Sequence, residues 1–162
     1  MSGTLVIKRD RTVPVDTRHL RQIARHLLVK LLALEKFELG VRLVRAPEMT
    51  RINETFLQHE GATDVITFDY ANPAARRTSH VLHGELFICY DVAVSQAREF
   101  RTTWPGEVVR YLVHGALHLQ GFDDHRSADR RKMKREENRL LRELTRCCAI
   151  SKLAVRSVRR PA

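Results

Sequence analysis

Residues 105–125 read PGEVVRYLVHGALHLQGFDDH, an apolar helical pattern that ends in three histidines and two aspartates. Pro105 suits a first helical turn, because its missing N–H is one of the donors that a helix start leaves unpaired. Glu107 complements the positive end of the helix dipole. Val108, Val109, Leu112, Val113, Ala116 and Leu117 recur at helical spacing and predict a buried face. Gly121 ends the helix. A helix this apolar needs cover, so it is expected at the centre of the fold, with the histidines at its end.

Working outward, a last helix begins near Ser127 and runs to about Thr145, with Met133, Leu140, Leu141 and Leu144 inward. Upstream, Thr4–Lys8 (TLVIK) reads as a strand. Asp16 or Thr17 caps a helix whose apolar positions are Leu20, Ile23, Ala24, Leu27, Leu28, Leu31 and Leu32, and which ends before Gly40. Phe37–Val44 alternates as a strand does, and Pro47 opens a short helix to Leu57. Asp64–Tyr70 (DVITFDY) and Gly84–Tyr90 (GELFICY) are rich in β-formers and flank a polar loop, Ala71–His80. A helix follows to about Arg101.

Neither a repeat nor a linker divides the chain, and the elements mix without a regular βαβ alternation. The expectation is an α+β fold: one small mixed sheet of about four strands packed with about five helices, with a metal site at the end of the central helix. Residues 1–146 form the single domain, and 147–162 a basic C-terminal tail, read as an RNA-binding arm or a flexible extension.

Lys and Arg number 29 against 19 acidic residues in 162, a net charge of +10 that favours a polyanionic partner. Eight of the basic residues fall between Arg126 and Arg142, against three acids. The start, MSGTLVIKRDRTVPVD, holds no apolar run fit for a signal peptide, and Lys30 interrupts the most apolar stretch, so no membrane span is expected. The three cysteines, Cys89 and the adjacent Cys147–Cys148, make neither a disulfide framework nor a CxxC zinc pair, and a reducing cytoplasm fits them.

On a helix His114 and His118 share a face, close enough for both imidazoles to reach one ion. After Gly121 the chain can fold back so that His125 supplies a third nitrogen. Three imidazoles and an open position describe a catalytic zinc that acidifies a bound water. Asp123 and Asp124 are placed to orient an imidazole, or one of them to ligate the ion itself. The bland alternative is three histidines that are merely hydrogen-bonded. A zinc peptidase would carry its general base, Glu, directly after the first histidine, where this chain has Gly115.

HGALHLQGFDDH resembles the HGxLHLxGYDH signature of the YbeY family of metal-dependent endoribonucleases. Thr63–Phe68 (TDVITF), Gly84–Cys89 (GELFIC) and Ile52–Phe56 (INETF) resemble further segments of that family, in its order. The resemblance covers about Ile52 to Leu144. It implies one zinc ion held by His114, His118 and His125. The resemblance also implies cleavage of single-stranded RNA, maturation of the 16S rRNA 3′ end, ribosome quality control, and ribosomal or ribosome-associated protein partners. The residues themselves make His114 and Asp124 the expected catalytic pair. This chain departs from the pattern twice. The family's third histidine stands ten residues after the first, where this chain has Asp124, and His125 falls one later. Leu57 stands where the family commonly carries a cleft arginine, leaving His59, Arg51 or Arg98 to replace it. Three functions follow in order: a zinc-dependent endoribonuclease, a non-catalytic zinc protein that binds RNA or the ribosome, and a metallopeptidase.

Overall fold

In the computed structural model, residues 2–76 and 80–156 are described. Strand β1 (Ser2–Arg9) leads through helix α1 (Thr17–His26) to strand β2 (Lys36–Val44), which lies parallel to β1. This unit is a βαβ crossover, an alternation that the irregular mixture of elements along the sequence does not announce. Helix α2 (Ala46–Ile52) precedes edge strand β3 (Val65–Asp69), and the four-residue helix α3 (Pro73–Arg76) precedes β4 (Val81–Cys89). The sheet order is β1-β2-β4-β3, with β4 parallel to β2 and β3 antiparallel to β4. Helices α4 (Tyr90–Phe100), α5 (Trp104–Leu119) and α6 (Ser127–Cys147) complete, among the described residues, an α+β fold of four strands and five helices of seven residues or more.

One sheet face is apolar because alternate residues point the same way. Leu5 and Ile7, Leu39, Val41 and Leu43, and Leu82, Leu86 and Ile88 all lie buried on it. Against it lies α5, which packs on α4, α6, β3 and β4 and buries residues on nearly every side. Contact between α5 and β4 is close because both carry glycine there. A Cβ on Gly84 would stand 2.5 Å from Leu119 Cδ2 and 2.6 Å from the Phe68 carbonyl oxygen.

Several boundaries differ from the expected ones, for local reasons. Asp16 is the residue that caps α1, its carboxylate accepting from the Arg18 and His19 N–H groups. The apolar run beyond His26 continues as a π-helical turn, Leu27–Leu31, closed by a Leu32 N–H to Leu27 carbonyl bond of 2.9 Å. A second such turn, Asn53–Leu57, extends α2. Within the expected loop, Asn72 accepts from the Ala74 N–H and starts α3, while residues 77–79 lie outside the described ones. The segment that composition marks as a basic tail starts packed on the domain. Ile150–Leu153 makes a 3₁₀ turn, Leu153 is fully buried, and Val155 donates to the Pro14 carbonyl at 3.0 Å. Residues 157–162 of that segment fall outside the described ones. Among the described residues, no helix is long and apolar enough to cross a membrane.

Candidate metal centre

The last two turns of α5 carry His114 and His118, and the chain after them closes as a Schellman motif around Gly121, whose φ is +97°. Gly121 N–H bonds the His118 carbonyl at 2.9 Å and Phe122 N–H the Leu117 carbonyl at 3.0 Å. This closure brings the Phe122 carbonyl back over the helix end, where it accepts a 3.1 Å hydrogen bond from His118 Nδ1. A carbonyl can only accept, so Nδ1 carries the proton and His118 turns its Nε2 lone pair into the cleft.

There it meets His114. The two rings cross at 80° with centroids 4.6 Å apart, and their Nε2 atoms are 3.0 Å apart. Asp124 completes the group: its Oδ2 lies 3.6 Å from His118 Nε2 and 3.9 Å from His114 Nε2. His114, His118 and Asp124 thus offer three donor atoms to one point. Arg130, on the first turns of α6, steadies the intervening loop by donating from Nε to the Asp124 carbonyl at 3.2 Å.

His125 lies outside this trio. Its side chain is 88% exposed and its Nε2 faces Asp123 Oδ1 at 3.6 Å. The His125 N–H donates to that same oxygen, and this bond is the largest influence holding the Asp123 carboxyl below its usual range. A second, more exposed group of three, Asp123, Asp124 and His125, shares Asp124 with the first.

Behind His114 stands a residue that pattern reading passes over. Glu137 of α6 is buried, and its Oε2 faces His114 Nδ1 at 3.9 Å, an ion-pair distance rather than a formed hydrogen bond. That carboxylate is the main influence raising the His114 pKa, with burial opposing it. For Glu137 itself burial is the largest effect and pushes upward. His114, Lys134 and Arg110 together outweigh it and hold the carboxyl below its usual range. The available signal was an acid in the apolar stripe Met133, Glu137, Leu140, Leu144.

The other expected residues are dispersed. Leu57 is 43% exposed, and His59 is exposed. Arg51 pairs with Glu48 on α2 at 3.7 Å, and Arg98 lines a hollow with Thr103, Trp104 and Pro105 at the opposite end of α5. At Gly115 a Cβ would meet buried Leu86, so this position faces the sheet and not the cleft.

A family model described as Endoribonuclease YbeY matches residues 5–145. The chain belongs to the YbeY endoribonuclease family. It is 41% identical over 96 residues to the Endoribonuclease YbeY of Chlorobium luteolum, an alignment covering 59% of this chain and 66% of that one. It is also 38% identical over 109 residues to that of Elusimicrobium minutum, covering 67% and 76%. With the Salinibacter ruber protein it shares 31% over 130 residues, covering 78% and 82%. The fold is similar to the solution structure of TM1509 from Thermotoga maritima, with a TM-score of 0.64 at 21% identity, over 98% of this chain and 100% of that one.

Proposed function

We propose that this chain is a metal-dependent endoribonuclease whose single divalent ion, zinc, is held by His114, His118 and Asp124. Donor spacing carries the reading. Tetrahedral ligands about 2.0–2.1 Å from an ion lie roughly 3.3 Å apart, and the three separations here, 3.0, 3.6 and 3.9 Å, bracket that value. Lone pairs of two imidazoles and a carboxylate aimed at one point repel one another until a cation or a proton stands between them. Two imidazoles with one carboxylate and an open position are a zinc donor set of the catalytic kind. Asp124 stands at the family's third-ligand register, which favours it over His125.

When bound, such an ion supplies positive charge to a phosphoryl oxygen and makes a water acidic enough to attack near neutral pH. The chain's own residues do the rest. Phe122 fixes the His118 tautomer, Arg130 holds the Asp124 loop, and the exposed cations of α6 beside the cleft attract the phosphate backbone. Single-stranded RNA is the substrate that fits the family, with the 16S rRNA 3′ end, the ribosome with its associated proteins, and the cytoplasm as the setting. The exposed Leu57 at the cleft-arginine position favours one second reading, a zinc protein that binds RNA or the ribosome without cutting it. Incubating single-stranded 16S precursor RNA with the zinc-loaded protein and with His114→Ala separates the two. Cleavage lost in the variant, with RNA affinity retained, supports the nuclease; binding without cleavage in both supports the second reading.

A further inference from the structure

Glu137 is a carboxylate whose side chain is only 5% exposed, set in the apolar stripe by which α6 packs on the domain. A carboxylate in such a place is costly unless other charges and donors compensate it. Its Oε1 faces Arg110 Nη1 at 3.5 Å, and its Oε2 faces Lys134 Nζ at 3.5 Å and His114 Nδ1 at 3.9 Å. Arg110 is itself held from the other side by buried Glu107, Oε2 to Nε 4.0 Å, which accepts a 2.7 Å hydrogen bond from Thr102 Oγ1. A continuous line of polar groups, Thr102, Glu107, Arg110, Glu137 and His114, therefore runs along α5 and its seam with α6 and ends at the imidazole.

We propose that Glu137 is the positioning residue of the metal centre: by facing His114 Nδ1 it keeps the proton on that nitrogen and turns Nε2 into the cleft. This rests on the reading of His114, His118 and Asp124 as a metal site. The two imidazoles are then oriented by the same logic from different sources, His118 by the backbone carbonyl of Phe122 and His114 by a buried carboxylate. Arg110 already has Glu107 on the other side of its guanidinium, so Glu137 is not needed for that charge alone, and the oxygen it turns away from Arg110, which the more exposed Lys134 also approaches, is the one that faces His114 Nδ1. Partners of this kind typically change metal affinity by about 10- to 100-fold when removed.

Two measurements test the proposal. Nitrogen-15 NMR of the histidine rings in the metal-free protein at alkaline pH should show His114 protonated on Nδ1, and the tautomer should shift toward Nε2 in Glu137→Ala. A wild-type His114 that carries its proton on Nε2 overturns the proposal without any variant. Titration of the wild type, Glu137→Gln and Glu137→Ala with Zn²⁺ against a chromophoric chelator should show affinity falling in both variants, by about 10- to 100-fold in Glu137→Ala. Glu137→Gln keeps the volume and an acceptor oxygen, so its loss should be the smaller. Folded variants that bind Zn²⁺ as tightly as the wild type overturn the proposal. A wild type that binds no Zn²⁺ while His114 still holds its Nδ1 proton instead removes the metal-site reading on which the proposal stands.

Discussion

Gly115 lies directly against Leu86 of β4: a Cβ on residue 115 would stand 2.7 Å from Leu86 Cδ2 and 2.9 Å from Cδ1. Leu86 is fully buried and has no space into which to retreat. The residue next to the first histidine therefore sets how closely α5 approaches the sheet, and through that, where His114 stands. It also explains physically why the peptidase arrangement is closed to this chain, since a glutamate here would point into the core. Gly115→Ala should cost about 1 kcal/mol net, about 2 for overpacking less about 1 regained in helix propensity. Denaturant unfolding checks the stability, and Zn²⁺ titration should show weaker binding as His114 shifts. Unchanged stability and affinity would show that the close contact is not needed.

A ligand that binds only the folded state stabilises it by mass action. Zinc at 100 times its dissociation constant should add about 2.7 kcal/mol, which for a chain of this size raises Tm by roughly 5–10 °C. A chelator should reverse the shift. His118→Ala should show no zinc-dependent shift at all in the same thermal scan.

Much of the architecture was legible because burial imposes period. Alternation marks β2 as a strand, and the 3-4 spacing of Val108, Val109, Leu112, Val113, Ala116 and Leu117 marks the central helix. The π turns at Leu27 and Asn53 were not legible, because each ends its helix and no further turn follows in which the added residue would shift the apolar stripe. In the site, the shared face of His114 and His118 follows from the helix alone. Which residue faces them from the loop does not, because it depends on the Schellman closure at Gly121 and on the Arg130 clamp, and these turn Asp124 inward and His125 outward. Glu137 escaped because one of four acids on a strongly basic helix, next to the partly exposed Glu136, reads as a surface residue until α6 is laid against α5.

The C-terminal turn offers a test of where the domain ends. Leu153 is fully buried, and its carbonyl accepts from Asp16 N–H at 2.8 Å. Leu153→Ala should therefore destabilise the protein by about 2–5 kcal/mol, whereas a dispensable tail would give no change in urea unfolding.

The Cys148 thiol should differ from an ordinary cysteine. Burial, with the contact to Cys147 adding to it, pushes the Cys148 thiol up from 9.0 to about 11. At neutral pH that lowers its thiolate fraction about 100-fold, and alkylation should slow in proportion. Mass spectrometry after timed iodoacetamide labelling would show this; rapid labelling of Cys148 at pH 7 would contradict it.

The central claim is that Asp124, with His114 and His118, holds the ion while His125 stands outside. Metal content by elemental mass spectrometry on the wild type, His118→Ala, Asp124→Ala and His125→Ala tests it most directly. The account predicts about one zinc per chain in the wild type and in His125→Ala, as expected for a single site, and none in the other two variants. Zinc kept by Asp124→Ala and lost from His125→Ala would contradict it.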